Sequence, residues 1–119
     1  MPGSYNLSII SRDVKVKVRL KAMFTAVCPF SDTKDIYEAI IEYEPNEERP
    51  YYIELRSLNK YLASFHNTKI THEELAEKIT KDIYKAIRPK RVRVILKCIY
   101  EGIRVEVEKE LTREGEKEE

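Results

Sequence analysis

Two side chains in this sequence stand where nucleophilic chemistry is possible. They are Cys28 and Asp35, separated by Pro29-Phe30-Ser31-Asp32-Thr33-Lys34. A thiolate attacks electrophilic carbon, and a carboxyl group beside it can give up and take back a proton. Alternating apolar and polar runs flank the pair. Pro29 lacks an N–H, so the first run must end just past Cys28. An antiparallel hairpin with Leu20 facing Tyr43, Ala22 facing Ile41, Phe24 facing Ala39 and Ala26 facing Tyr37 collects the apolar residues on one face. On the other face it sets Arg19 against Glu44 and Lys21 against Glu42, so alternation and charge pairing agree on one register. Continued to the loop, that register predicts Cys28 opposite Asp35. A second reading stands beside this one. Cys28 is in phase with Phe24 and Ala26, and a buried free cysteine also packs as a small hydrophobe.

The elements that must position these groups follow from the pattern. Val14 to Lys21 alternates without a miss, which predicts a strand whose exposed row is Lys15, Lys17, Arg19 and Lys21. Such a row suits a phosphate backbone, and it equally suits acids on a neighbouring strand. A second strand spans about 35–44, and Pro45 to Pro50 is a polar loop bracketed by prolines. Leu58, Tyr61, Leu62 and Phe65 fall at helical spacing, with Ser57 as the expected N-cap. Thr71-His72-Glu73-Glu74 fits a capping box opening a second helix that Arg88-Pro89 stops. A carboxylate at Glu73 is favoured by the helix dipole alone. The last third predicts a hairpin about Glu101-Gly102, with Cys98 facing Val105, Leu96 facing Val107 and Val92 facing Leu111. Cys98 then sits mid-strand in the core. The order is β-β-α-α-β-β, an α+β fold with a four-stranded antiparallel sheet and two helices on one face. It forms a single domain over residues 1–119, with 1–12 and 113–119 as flexible ends.

Composition narrows the class further. With 22 basic and 21 acidic residues the net charge is +1, which implies no particular partner. Gln and Trp are absent, Gly occurs three times, and 36% of residues are charged. That profile resembles proteins of hot environments, where ion-pair networks replace thermolabile amides. Two cysteines far apart predict no disulfide framework. His66, His72 and the cysteines form no zinc-type spacing, so no metal is expected. No stretch is long and apolar enough for a membrane span, and Met1 to Asn6 lacks a signal-peptide core. The expectation is a cytoplasmic protein without a membrane partner.

Three motifs in order resemble one family. Cys28-Pro29 is followed by Asp35. Glu54-Leu55-Arg56-Ser57-Leu58-Asn59-Lys60-Tyr61-Leu62-Ala63-Ser64-Phe65-His66-Asn67 follows a central signature, and His72-Glu73 stands beyond it. Together they resemble the tunnelling-fold (T-fold) family containing the nitrile reductase QueF and its archaeal QueF-like relatives, the archaeosine synthases. The resemblance runs from Cys28 to Glu73 and implies specific roles. Cys28 would attack the nitrile of 7-cyano-7-deazaguanine to form a covalent thioimide, and Asp35 would protonate the nitrile nitrogen. Glu73 would grip the guanine-like edge, His72 would seat the base, and Glu54 and Ser57 would be nearby pocket residues. Stacked rings of subunits, pentameric and with sites between protomers, are implied as well.

One departure separates the branches of that family. Where the reductases carry two signature lysines for the nicotinamide cofactor, this sequence has Arg56 and Asn59. Asn59 removes a cation, and Arg56 keeps one with different geometry. The resemblance therefore favours the QueF-like branch, in which ammonia is co-substrate, no redox cofactor is needed, and the thioimide becomes the formamidine of archaeosine on transfer RNA. Lys15, Lys17, Arg88, Lys90 and Arg91 have no obvious cross-strand acid in the registers above. They are the candidates for contacting the RNA backbone, or are ordinary solubilising charges. The rivals are an NADPH-dependent nitrile reductase acting on the free base, a non-catalytic RNA-binding module, and a pterin-directed enzyme of the same fold.

Overall fold

A computed structural model of the chain describes residues 7–113. Strands β1 (Ile9–Ser11), β2 (Val18–Val27), β3 (Lys34–Glu44) and β4 (Tyr51–Ile53) are followed by helices α1 (Leu55–Ala63) and α2 (His72–Ile87). Strands β5 (Arg91–Tyr100) and β6 (Ile103–Thr112) close the chain. The four long strands form one antiparallel sheet in the order β2-β3-β5-β6. The expected α+β fold with two helices is the observed one, since α1 and α2 fill the crossover from β3 to β5.

Strand periodicity explains the core. Odd positions of β3 and even positions of β2 and β5 turn inward, so Tyr37, Ala39, Ile41, Ala26, Val92, Val94 and Leu96 are all buried. Against them pack Leu58, Tyr61, Leu62 and Phe65 from α1 and its end, and Leu75, Ile79, Ile83 and Ile87 from α2. These are the apolar stripes expected at helical spacing.

The opposite face carries charge across all four strands. Lys17 stands 3.5 Å from Glu44, which is 3.9 Å from Arg91, which in turn is 2.8 Å from Glu110. One row along, Arg19 meets Glu42 at 2.6 Å, Glu42 meets Arg93 at 3.2 Å, and Arg93 meets Glu108 at 2.9 Å. Exposed pairs contribute roughly 0–1 kcal/mol each, but charges joined in rows share their ordering cost and matter more at high temperature.

The structure corrects several expectations. Asp35 is paired with Ala26, not Cys28, and Arg19 faces Glu42, not Glu44; the first hairpin has moved by two residues. A shift of two keeps every side chain on its face, and Glu42 and Glu44 are themselves two apart, so alternation and charge allow both registers. The loop decides between them. The Cys28 N–H donates to the Thr33 carbonyl at 2.8 Å and the Asp32 N–H to the Cys28 carbonyl at 3.0 Å, with Asp32 at φ 59°. Residues 14–17 lie outside β2. Their backbone is held instead by the Tyr52 hydroxyl, which donates to the Val14 carbonyl and accepts from the Val16 N–H. The expected loose lead-in contains β1, paired with β4 from Ile9–Ile53 to Ser11–Tyr51. The flexibility expected at the two ends lies, for residues 1–6 and 114–119, outside the described residues.

The second hairpin matches its expected register, with Cys98 opposite Val105 and Val92 opposite Leu111. Its turn needs positive φ at both central residues, which Glu101 (47°) and Gly102 (85°) supply. Thr71 closes the expected capping box with Glu74. Ser57, however, is not the cap of α1. Glu54 is, its two carboxylate oxygens accepting from Arg56 N–H at 2.7 Å and Ser57 N–H at 2.9 Å. Glu54→Ala leaves both donors without that partner, and the expected cost is about 1 kcal/mol, the usual value of a lost N-cap. Urea unfolding of the two proteins measures it; equal midpoints would remove the capping role.

Candidate functional site

The site is assembled at one end of the sheet. The residues joining α1 to α2 run beside the last residue of β2: the Val27 N–H donates to the Thr68 carbonyl at 2.8 Å, and the Ile70 N–H to the Val27 carbonyl at 3.2 Å. Lys69 adds an ion pair to Asp32 at 2.8 Å. This seam brings the start of α2, with His72 and Glu73, over the Cys28 loop. Cys28, Asp35, His72, Glu73, Phe30 and Tyr100 line one cavity of about 290 Å³. A larger depression of about 490 Å³ lies over Lys17, Glu42 and Arg93, where the charged groups already satisfy one another.

Cys28 and Asp35 thus converge although they are not strand partners. Each is only 4% exposed. The Cys28 thiol is held below its ordinary pKa chiefly by the Ser31 hydroxyl. Burial opposes this, and the Phe30 and Ser31 N–H groups and the Tyr100 hydroxyl reinforce it. These are neutral donors to a thiolate, a hydrogen-bonding cause of the shift. The other thiol behaves oppositely: burial, then the nearby Asp35, pushes Cys98 up to about 11. Cys98 is therefore the core residue expected of it.

His72 links the two sides of the cavity. Its Nε2 is 3.5 Å from Asp35 Oδ2 and 3.6 Å from Cys98 Sγ. Its ring meets Tyr37 and Tyr100 edge-on, at centroid separations of 5.7 and 6.3 Å. Glu73 is exposed on the first turn of α2 at the mouth, where the helix dipole favours its charge. The cavity thus combines a thiol of lowered pKa, a buried carboxyl group, an imidazole and an exposed acidic side chain.

Glu54 and Ser57 do not line this cavity. The Glu54 carboxylate caps α1, and the Ser57 hydroxyl accepts from the Ser8 N–H at 2.9 Å while donating to the Glu54 carbonyl at 2.7 Å. The five cations expected on RNA fare unevenly. Lys17 and Arg91 do have acidic partners: Lys17 reaches Glu44 because the first register differs from the expected one, while Arg91 reaches Glu44 through the β3–β5 pairing and Glu110 diagonally across the second hairpin. Arg88 lies over the Tyr84 ring at 5.4 Å in a left-handed C-cap, and Lys15 and Lys90 are exposed. Lys17, Lys90 and Arg91 gather around Glu44 at the far end of β3 from Asp35, about 30 Å away at roughly 3.3 Å per residue. Ser31 and Tyr100 belong to the site and were not among the expected residues. Ser31 was discoverable, lying three residues after a candidate nucleophile in a tight loop. Tyr100 comes from the end of β5, and no local pattern places it beside Cys28.

Fold and site together define an α+β tunnelling-fold protein with a cysteine–carboxylate centre at the sheet end. A QueF-like protein family model matches residues 34–115, and the chain belongs to that family. The matched region begins after Cys28 and includes Asp35, His72 and Glu73. The chain is 37% identical over 90 residues to an archaeosine synthase of Pyrobaculum calidifontis, covering 76% of this chain and 80% of that protein. It is 42% identical over 71 residues to an NADPH-dependent 7-cyano-7-deazaguanine reductase of Thermotoga petrophila, covering 60% of this chain but only 50% of the reductase. The crystal structure of the archaeosine synthase QueF-Like in the apo form superposes with a TM-score of 0.74 at 35% identity, over 79% of this chain and 91% of that one. Among the described residues no helix is long and apolar enough to cross a membrane, and no cluster of side chains could hold a metal ion.

The contrast between the two thiols is directly measurable. At neutral pH iodoacetamide is expected to label Cys28 and leave Cys98 unmodified in the folded protein. Removing the main donor in Ser31→Ala should move the pH midpoint of Cys28 labelling upward, since less of the thiol is then ionised at a given pH. Peptide mapping across a pH series reads both; an unmoved midpoint would show that Ser31 does not stabilise the thiolate.

Proposed function

We propose that this chain is a transfer-RNA-modifying amidinotransferase that converts the nitrile of 7-cyano-7-deazaguanine in RNA to a formamidine, with ammonia as co-substrate and no redox cofactor. The observation that carries the reading is a buried cysteine lining one cavity with a buried carboxyl group, its thiol pKa lowered by neutral donors. That pairing suits addition to a carbon–nitrogen triple bond. The Cys28 sulfur forms a bond to the nitrile carbon, one carbon–nitrogen π bond breaks, and the nitrogen takes a proton from Asp35, leaving a neutral thioimide. Ammonia then adds to the same carbon and the carbon–sulfur bond breaks. Cys28 departs as thiolate and the amidine leaves as its cation, so no electrons are gained or lost overall.

The rest of the cavity fits recognition of the base. The two oxygens of Glu73 can accept the adjacent N–H donors of a guanine-like edge, and His72 flanks the ring. Arg56 and Asn59, at the places of two cofactor lysines in the reductases, are exposed on α1 and do not line this cavity. The span of the likeness favours the synthase as well, because the chain covers four-fifths of the Pyrobaculum protein and half of the reductase. A homo-oligomeric ring is part of the proposal. Within the described residues β2 and β6 pair on one side only, and open edges invite a neighbouring chain. Pentameric rings would let Glu54 and Ser57 of one protomer approach the cavity of the next. Transfer RNA would be held electrostatically by Lys15, Lys17, Arg88, Lys90 and Arg91, with Lys17 and Arg91 shared with their acids.

Two assays test this reading. Incubation with 7-cyano-7-deazaguanine without ammonium should add one molecule to the protein by intact mass, at Cys28 on peptide mapping. An adduct on Cys98, or none in the native protein, would sink the mechanism. In the second, transfer RNA carrying the nitrile is supplied with ammonium in one tube, and the free nitrile with NADPH in another. The expected result is formamidine in the first, falling steeply with added salt, and no NADPH loss in the second. Robust NADPH oxidation would reassign the chain to the reductases.

A further inference from the structure

Behind Cys28 the site contains two buried oxygens without hydrogen-bond partners among the described residues, Asp35 Oδ2 and the Tyr37 hydroxyl. Buried polar groups are almost always paired, so an unpaired one calls for an explanation such as an absent small ligand. Two on one face of the same strand, two residues apart, call for it more strongly. Asp35 and Tyr37 are neighbours on the inward face of β3, 4% and 0% exposed. The Tyr37 ring stacks on Phe24 at 5.2 Å and meets the His72 ring edge-on. Its hydroxyl lies within electrostatic reach of Asp35, Cys98, Cys28 and Glu73. Burial, and then Asp35, push that phenol far above its usual range, so it stays protonated and keeps lone pairs to accept with. His72 Nε2 completes the surroundings at 3.5 Å from Asp35 Oδ2.

We infer that Asp35 Oδ2 and the Tyr37 hydroxyl form a binding site for ammonium, the nitrogen donor of the proposed reaction. The inference rests on that reading and deepens it. Ammonium has four donors and little bulk, and a buried carboxylate beside a phenol oxygen offers it charge and a second acceptor. The proton account then closes on residues already in place. Protonating the nitrile leaves Asp35 as carboxylate, which is the form that attracts ammonium. Ammonium returns a proton to Asp35 and becomes ammonia, the species able to attack. Ammonia adds to the thioimide carbon, the carbon–sulfur bond breaks, and an amidinium and the Cys28 thiolate result. Asp35 is again protonated for the next nitrile. One nitrile and one ammonium have become one amidinium, with atoms and charge balanced.

A water molecule shares the size and hydrogen-bonding of ammonia, so the experiment separates the two. The adduct with 7-cyano-7-deazaguanine is formed first, and its discharge is followed by intact mass against ammonium chloride concentration. Wild-type discharge should saturate with ammonium, and methylammonium at equal concentration should be at least tenfold slower because the site is enclosed. In Tyr37→Phe the adduct should still form, while half-saturating ammonium rises about tenfold, the worth of one charge-assisted hydrogen bond. Discharge that is linear in ammonium, indifferent to the methyl group, or unchanged in Tyr37→Phe would assign the two oxygens to water and overturn the inference. Failure of the wild-type protein to form any adduct is a different result: it removes the functional reading, and this site's role with it.

Discussion

Asp35 is a carboxylic acid on the apolar side of a central strand. Taking such a group out of water costs several kcal/mol unless something compensates, and here the compensation is incomplete. One oxygen faces His72 across 3.5 Å without a true hydrogen bond. The fold tolerates this only because Asp35 sits at the start of β3, where the sheet ends and the cavity opens. A one-residue slip of β3 would send Asp35 to the charged face and bring Ile36 into the site. The inward turn of this one side chain therefore depends on the whole β2–β3–β5 register. Tyr37, Ala39, Ile41 and Tyr43 fix it by being buried in phase with Asp35.

Delivery of His72 and Glu73 is the second dependency. Alone, α2 is an amphipathic helix whose first turn is set by the Thr71–Glu74 capping box. That turn reaches the site because residues 68–70 bridge to Val27, placing the helix start beside the last paired residue of β2. Helix start and strand end are locked by backbone hydrogen bonds, so the imidazole and the thiol belong to one rigid corner. The charged rows lie at the other end of the opposite face. They tie the strands together away from the Cys28 cavity, and they occupy two cations, Lys17 and Arg91, that the pattern alone left available to RNA.

Much of this was legible in the sequence, and the failures share a physical origin. The second hairpin was fixed by a two-residue turn, which leaves no freedom in register. The first has a longer loop, and its periodicities in apolarity and charge are both two, so a shift of two costs nothing either pattern can detect. The convergence of Cys28 and Asp35 survived that error because parity was kept. The cap of α1 was misplaced because Ser is the commoner cap and Glu the rarer one, although Glu54 can serve two N–H groups where a hydroxyl serves fewer. Strand β1 is three residues long, below the length at which alternation carries information. Tyr100 and the orphaned Tyr37 hydroxyl were invisible because their meaning lies in what they meet across elements, not in their own neighbours.

The choice of neutral donors around Cys28 has a consequence for the proposed cycle. A thiolate paired with a cation would ionise more fully, but a lower pKa also means weaker intrinsic nucleophilicity. In that cycle the same sulfur must attack a nitrile and later leave a tetrahedral carbon, and the two demands oppose each other. A hydroxyl from Ser31, two backbone N–H groups and the Tyr100 hydroxyl lower the pKa without placing a full charge beside the sulfur. They also donate to the departing thiolate as readily as to the attacking one. Stabilisation by neutral donors suits a sulfur that serves as nucleophile and leaving group in one turnover, and the tight loop at 28–33 supplies it largely from its own backbone and one serine.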